Sequence, residues 1–185
     1  MALAPLVVAA LPELIRLLET AMGSKSKGKG ARGEREIVAL LRSVLPDGWT
    51  VERFGTGESG HDVRLRSPDG SGQPFAIEVK RYRDFSIGEV LRGPSARWLS
   101  WWLQACDQAE RVGREPVLLT RGDRRPWWLW TRHQYGEAGP FVELRLGAGR
   151  VVVGAPLSDA LADLAMEIRQ EERRLSERGG EREQP

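Results

Sequence analysis

A mixed α/β sheet with helices packed on it is the fold class this sequence predicts, and three patterns carry the prediction. Apolar residues recur at helical spacing in two separate stretches, 33–45 and 95–112. Short alternating or fully apolar runs, bounded by Gly, Pro, Asp and Ser, lie between and after them. Helical and strand patterns interleave along the chain, the order expected of one layered domain. The 185 residues suffice for one such domain and are too few for two comfortable ones.

Residues 1–22 read as an N-terminal amphipathic extension, with Leu14, Leu17 and Leu18 opposite Glu13, Arg16 and Glu19. Its apolar run is broken by Pro12 and lacks a basic start, so neither a bilayer span nor a secretory signal is expected. Residues 23–32, with Lys25, Lys27 and Lys29 among Gly and Ser, read as a flexible basic linker. The main domain is then 33–157. Its first helix places Ile37, Val38, Leu40, Leu41, Val44 and Leu45 at helical spacing and stops at Pro46-Asp47-Gly48. Glu34 falls on the inward side of that helix, while Arg35 and Glu36 turn elsewhere.

Three strands follow, at 49–54, 61–66 and 75–80, the last two joined by the turn SPDGSG. In the third, Phe75, Ile77 and Val79 share one face and Ala76, Glu78 and Lys80 the other. A helix over 95–112 carries a stripe of Trp98, Leu99, Trp102, Leu103, Cys106 and Ala109, with Gly113 as its stop. Trp101, and Trp127 or Trp128, are the candidates for stacking on splayed bases, a reading the sequence does not favour. PVLLTR at 116–121 is a strand buried on both faces, WWLWTR at 127–132 pairs back on it, and a late hairpin joins 141–146 to 151–153. Residues 158–185 are a last helix, striped by Leu161, Leu164, Ala165 and Ile168, and a charged tail expected to fray.

Composition narrows the setting. Hydrophobic residues make up 41% and charged residues 29% of the chain, a globular balance. The single cysteine, Cys106, excludes an internal disulfide and fits a reducing, cytoplasmic compartment. Charge is unevenly spread: residues 23–132 hold 20 Lys and Arg against 14 Asp and Glu, while both ends are mildly acidic. A basic middle suggests a polyanion-binding surface. Lys27, Lys29 and Arg32 on the linker, and Arg81 and Arg83 beyond the third strand, are candidate phosphate contacts, with Arg121, Arg124 and Arg125 at later strand ends.

Four residues carry the candidate chemistry: Glu34 on the first helix, Asp62 opening the second strand, and Glu78 and Lys80 on the third. Two carboxylates on neighbouring strands and a third from a packed helix form an oxygen-donor set suited to Mg²⁺, which needs few protein ligands because it keeps waters and takes substrate phosphate oxygens. Such an ion polarises a phosphoryl group. Lys80, on the face of Glu78, suits holding a water or steadying developing negative charge.

The runs KGARGEREIVALL, VERFGTGESGHDVRL and FAIEVKRYRD resemble the archaeal-type Holliday junction resolvases and their phage relatives, within the PD-(D/E)xK nuclease superfamily. The likeness spans roughly residues 27–132. It implies a restriction-endonuclease-like mixed central sheet flanked by helices, and a Mg²⁺-dependent homodimer (Mn²⁺ substituting) that nicks paired strands of four-way or branched DNA. It implies catalytic roles for Glu34, Asp62, Glu78 and Lys80, and metal ligation by Asp62, Glu78 and Glu34 with the Val79 carbonyl. Basic contacts fall on Arg35 and Arg53, and a loop contact on Ser59 within Gly55 to Gly60. His61 stands where the superfamily's name has proline, and the Trp-rich helix suits the phage members, whose setting is the host cytoplasm. Two alternatives stay open: a nuclease of this fold for repair, restriction or replication substrates, and a non-catalytic DNA-binding or phage-assembly protein.

Overall fold

Helix α1 (Lys27–Arg42) buries Ile37, Val38 and Leu41 on one stripe. It belongs to a computed structural model that describes residues 27–54, 62–70, 74–93, 95–133, 141–146 and 150–180. The helix starts six residues before the predicted point, so 27–32 are helical and not a flexible linker. Lysine and arginine are good helix formers, and Arg32 meets Glu36 one turn on at 3.4 Å.

The remaining elements are β1 (Thr50–Arg53), β2 (Val63–Arg66), β3 (Phe75–Tyr82), α2 (Ile87–Leu91), α3 (Ala96–Arg111), β4 (Glu115–Gly122), β5 (Trp128–Thr131), β6 (Val142–Leu146), β7 (Arg150–Pro156) and α4 (Leu157–Gly180). The strands form a mixed seven-stranded sheet in the order β1-β2-β3-β4-β5-β7-β6. Only β3 and β4 run parallel, in register from Phe75↔Glu115 to Tyr82↔Gly122. That pair needs a crossover, which α2 and α3 supply.

Each face of the sheet has its own core. On one, Ile37 and Leu41 of α1 and Leu157, Leu164 and Ile168 of α4 pack on Val63, Leu65, Phe75, Ile77, Val79, Val117 and Leu119. On the other, Trp98, Trp101, Trp102 and Ala105 of α3 pack with Phe85, Val90, Leu118 and Trp130. Trp98 meets Trp130 edge-on at 4.9 Å, and Trp101 stacks on Tyr82 at 4.7 Å. The buried stripe of α3 therefore runs through Trp98, Trp101, Trp102, Ala105 and Ala109, while Leu99, Leu103 and Cys106 are only half-buried, a rotation from the expected stripe. Small Ala105 and Ala109 let the helix lie close to the strands, and Trp101 turns inward to reach Tyr82. Trp101 and Trp127 are buried and closed to bases.

Short α2 was not predicted. Ser86 caps it by accepting the Gly88 N–H at 3.2 Å, and the Ser-x-x-Glu pattern of Ser86 and Glu89 was its sequence signal. Helix α4 continues to Gly180, into the stretch expected to fray, whose last residues, 181–185, lie outside the described residues. Its Glu and Arg residues favour helix, and their interleaving allows pairs one turn apart. The extension 1–22, linker residues 23–26, Ser59 and His61 lie outside the described residues. Among the described residues no helix is long and apolar enough to cross a membrane.

Candidate active site

Strand β3 is central and covered on both faces, so its side chains do not form the solvent-facing row that alternation alone suggests. Glu78 is only 2% exposed. A buried carboxylate demands partners. Its Oε1 accepts from Lys80 Nζ at 2.5 Å and from Gln104 Nε2, on α3, at 2.9 Å. Its Oε2 is buried without a hydrogen-bond partner.

Asp62 reaches this point because β2 leaves β3 here. β2 and β3 are in register at Val63↔Ile77, and β3 then runs on to Tyr82 alongside β4. At the separation the Asp62 N–H donates to the Ile77 carbonyl at 2.8 Å, and the Phe54 N–H donates to the Asp62 carbonyl at 2.9 Å. The backbone is thus pinned to both neighbouring strands. The Asp62 carboxylate in turn accepts the Val79 N–H at 2.8 Å. N–H and C=O of one strand residue point the same way, so the Val79 carbonyl faces this opened edge too.

Glu34 comes from α1, which approaches β3 closely at Gly33. A Cβ at Gly33 would lie 3.3 Å from Arg81 Cβ and from Trp127. Arg53, at the end of β1, holds Glu34 through Nε and Nη2, 2.7 and 2.6 Å from Oε2. Among the described residues, no group of three or more His, Cys, Asp and Glu side chains is already gathered to hold a metal ion. Of the three acids expected around one cation, Glu34 is held by Arg53, and its charge still reaches the Asp62–Glu78 pair.

The acids still feel one another. Burial, and next the charge of Glu78, push the Asp62 carboxyl up to about 7, against the Val79 N–H and Lys80, and Glu34 raises it further. Burial acts to lower the pKa of Lys80, but Glu78, with Asp62 behind it, leaves it raised. A surplus of negative charge, an unpartnered buried carboxylate oxygen and all-oxygen donors fit a divalent cation. Asp62, Glu78 and the Val79 carbonyl are the groups that could hold it.

The basic residues divide. Arg35 and Arg83 are exposed, and Lys27 and Lys29 lie on the first turn of α1. Arg81, 13% exposed, is not a free phosphate contact: it bonds Glu36 at 3.0 Å and Asp123 at 3.4 Å. Glu36 also binds Arg121 at 2.7 Å and so clamps α1 to β3 and β4. Arg53, expected on DNA, is occupied by Glu34. Gln104, on the central helix and within reach of the sheet, is the polar neighbour that bonds Glu78.

A family model described as "Phage putative PDDEXK endonuclease" matches residues 25–136. No curated protein matches. Among solved structures, Hjc, a Holliday junction resolvase from the archaeal hyperthermophile Archaeoglobus fulgidus, is similar at 20% sequence identity, over 70% of this chain and 85% of that chain, with a TM-score of 0.36. The matched segment holds α1, strands β1 to β4 and all four candidate catalytic residues, and the chain belongs to this phage PD-(D/E)xK endonuclease family.

Proposed function

We propose that the protein is a Mg²⁺-dependent, structure-selective DNA endonuclease that resolves four-way junctions by paired symmetric nicks, as a homodimer in the host cytoplasm. The observation that carries the reading is the Asp62–Glu78–Lys80 group at the edge where β2 leaves β3, with Oε2 of Glu78 unpartnered. A divalent cation bound there supplies Lewis-acid polarisation of the scissile phosphate and offsets its developing charge. Asp62 and Glu78 hold that ion, and Glu34, steadied by Arg53, completes the acidic set. Lys80 orients water for in-line attack and stabilises charge on the phosphoryl oxygens. Water oxygen bonds to phosphorus as the P–O3′ bond breaks, leaving a 3′-hydroxyl and a 5′-phosphate.

Selectivity for branched DNA is supported by the likeness of the three sequence runs to junction resolvases, and a two-fold dimer matches the two equivalent strands of a junction. Phosphate contacts read shape and spacing, not sequence. The test is cleavage of a synthetic immobile four-way junction beside linear duplex, flap and nicked duplex, with and without Mg²⁺. The junction is expected to be cut in symmetric pairs by the wild type and not by Glu78→Gln. Equal cutting of linear duplex removes the junction assignment, and no metal-dependent cutting of any substrate removes the enzyme.

A further inference from the structure

Beyond Lys80 the same face of β3 carries one more polar side chain, Tyr82. Strand alternation puts Glu78, Lys80 and Tyr82 in one row, and the packing agrees. Gln104 of α3 reaches Glu78, and Trp101, three residues earlier on α3, stacks on the Tyr82 ring at 4.7 Å. Among the described residues no strand pairs with this stretch of β3 on the side that β2 has left.

The ring is held in place. Trp101 covers it, and the guanidinium of Arg97, itself paired with Asp84 and Glu89, lies 5.8 Å from its centroid. The backbone is held as well. The Phe85 N–H donates to the Tyr82 carbonyl at 3.3 Å, and the Asp123 N–H donates to the Arg83 carbonyl at 3.3 Å. Gly122, the register partner of Tyr82 on β4, admits this turn, since a Cβ there would collide with the Phe85 carbonyl. The hydroxyl is different. Tyr82 is half-buried, and its hydroxyl makes no hydrogen bond among the described residues, nor is it shut away from water. A fixed ring thus presents a water-facing O–H at the end of the row that begins with Glu78.

We propose that the Tyr82 hydroxyl donates a hydrogen bond to a phosphate next to the scissile one and so aligns the cut strand over Glu78 and Lys80. Tyrosine is among the side chains that contact backbone phosphates, and such contacts fix register rather than read sequence. Lys80 and Tyr82 are two residues apart, about 7 Å along the strand. That length is comparable with the step between successive phosphates of a nucleic-acid strand. A ring already locked by packing loses little freedom on binding, so most of the bond is kept as affinity. The inference deepens the nuclease reading and rests on it for the identity of the anion.

The test uses Tyr82→Phe, which removes the oxygen and keeps the ring. In the full chain carrying Glu78→Gln, with EDTA, a fluorescein-labelled immobile four-way junction and a labelled linear duplex are titrated by anisotropy over a range of salt. Adding Tyr82→Phe is expected to weaken binding about three- to tenfold, the size of a typical net hydrogen bond. The slope of log affinity against log salt should not change, because the lost group is neutral. The melting temperature should hold too, because the hydroxyl has no partner in the folded chain. Unchanged affinity overturns the proposal. So does weaker binding with a lowered melting temperature, the mark of a structural role, or with a lowered salt slope, the mark of a displaced cation. Position is read with a methylphosphonate at each phosphate flanking the mapped cut. At one of them the substitution should weaken wild-type binding and add nothing to Tyr82→Phe; additive losses at both overturn the placement. If the wild type cuts no substrate in Mg²⁺ while Tyr82→Phe still weakens binding, the nuclease reading falls and a phosphate contact stands. If the wild type cuts and Tyr82→Phe binds as before, the contact falls and the nuclease stands.

Discussion

The carboxylate of Asp62 accepts the amide N–H of Val79 at 2.8 Å, across the point where their two strands separate. A side chain takes the place that a partner strand's carbonyl holds elsewhere in the sheet. The same bond fixes Asp62 beside Glu78, and the closeness of two buried acids has a consequence in pH.

Asp62 titrates at about 7 in the folded protein, against 3.8 for an ordinary aspartate, because of burial and then Glu78. The folded state thus holds its proton over a range in which the unfolded chain has lost it. Without divalent ions, stability should fall as pH rises from about 4 to about 7 and level off above that. Melting temperatures of wild type and Asp62→Asn from pH 5 to 8 in EDTA check this: the wild-type decline should flatten in the variant. Cation binding requires the ionised acid, so Mg²⁺ affinity and cleavage should rise through pH 7, and higher Mg²⁺ should move the midpoint down.

Lys80 and Glu78 should separate chemistry from stability. Lys80→Met is expected to lower the cleavage rate roughly 10²- to 10³-fold while DNA binding stays near wild type. Single-turnover rates with a labelled junction, set against anisotropy, decide it. A parallel loss of binding would move Lys80 from the reaction to substrate capture.

Arg53 holds Glu34 from a partly exposed position, so its effect should be one of placement. Arg53→Gln should lower cleavage about 10- to 100-fold, as loss of a supporting contact behind a metal site does. Its melting temperature should barely move, since an exposed ion pair contributes little. Arg53→Lys should recover part of the rate.

Gly33 sets the approach of α1 to the sheet. Gly33→Val places a branched side chain where Arg81 Cβ, Trp127 and Val79 leave no room. A loss of about 1–3 kcal/mol is expected by chemical denaturation. Cleavage should fall further than stability explains, because Glu34 is on the next residue.

Glu36 joins α1 to Arg81 and Arg121. Glu36→Ala leaves both guanidiniums without that acceptor and should destabilise by about 1–3 kcal/mol. The Mg²⁺ dependence of cleavage should be unchanged, which distinguishes it from Glu34.

The sequence was most readable where a short pattern has one physical meaning. The alternation in FAIEVK correctly assigned Phe75, Ile77 and Val79 to one face and Glu78 and Lys80 to the other, and Gly113 follows the end of its helix, whereas α1 ends at Arg42, ahead of the Val44, Leu45 and Pro46 expected to close it. It was least readable where long-range packing decides. Alternation could not tell that the Glu78 face lies beneath α3, since a central and a surface strand alternate alike. The arginines behaved similarly: Arg81, Arg53 and Arg35 look equivalent along the chain, yet two are bound to carboxylates 45 and 19 residues away. The early start of α1 went unseen because glycine and serine composition outweighed its lysines.

Glu78 belongs to the single parallel pairing of the sheet, and its register partner Leu118 lies forty positions later. During synthesis, β3 is an edge with open backbone groups until the crossover and β4 have emerged. Before then Gln104 is not seated, and Glu78 stays in water rather than in the low-dielectric setting that concentrates charge at this corner. Chains ending short of β4 are therefore expected to lack cutting power.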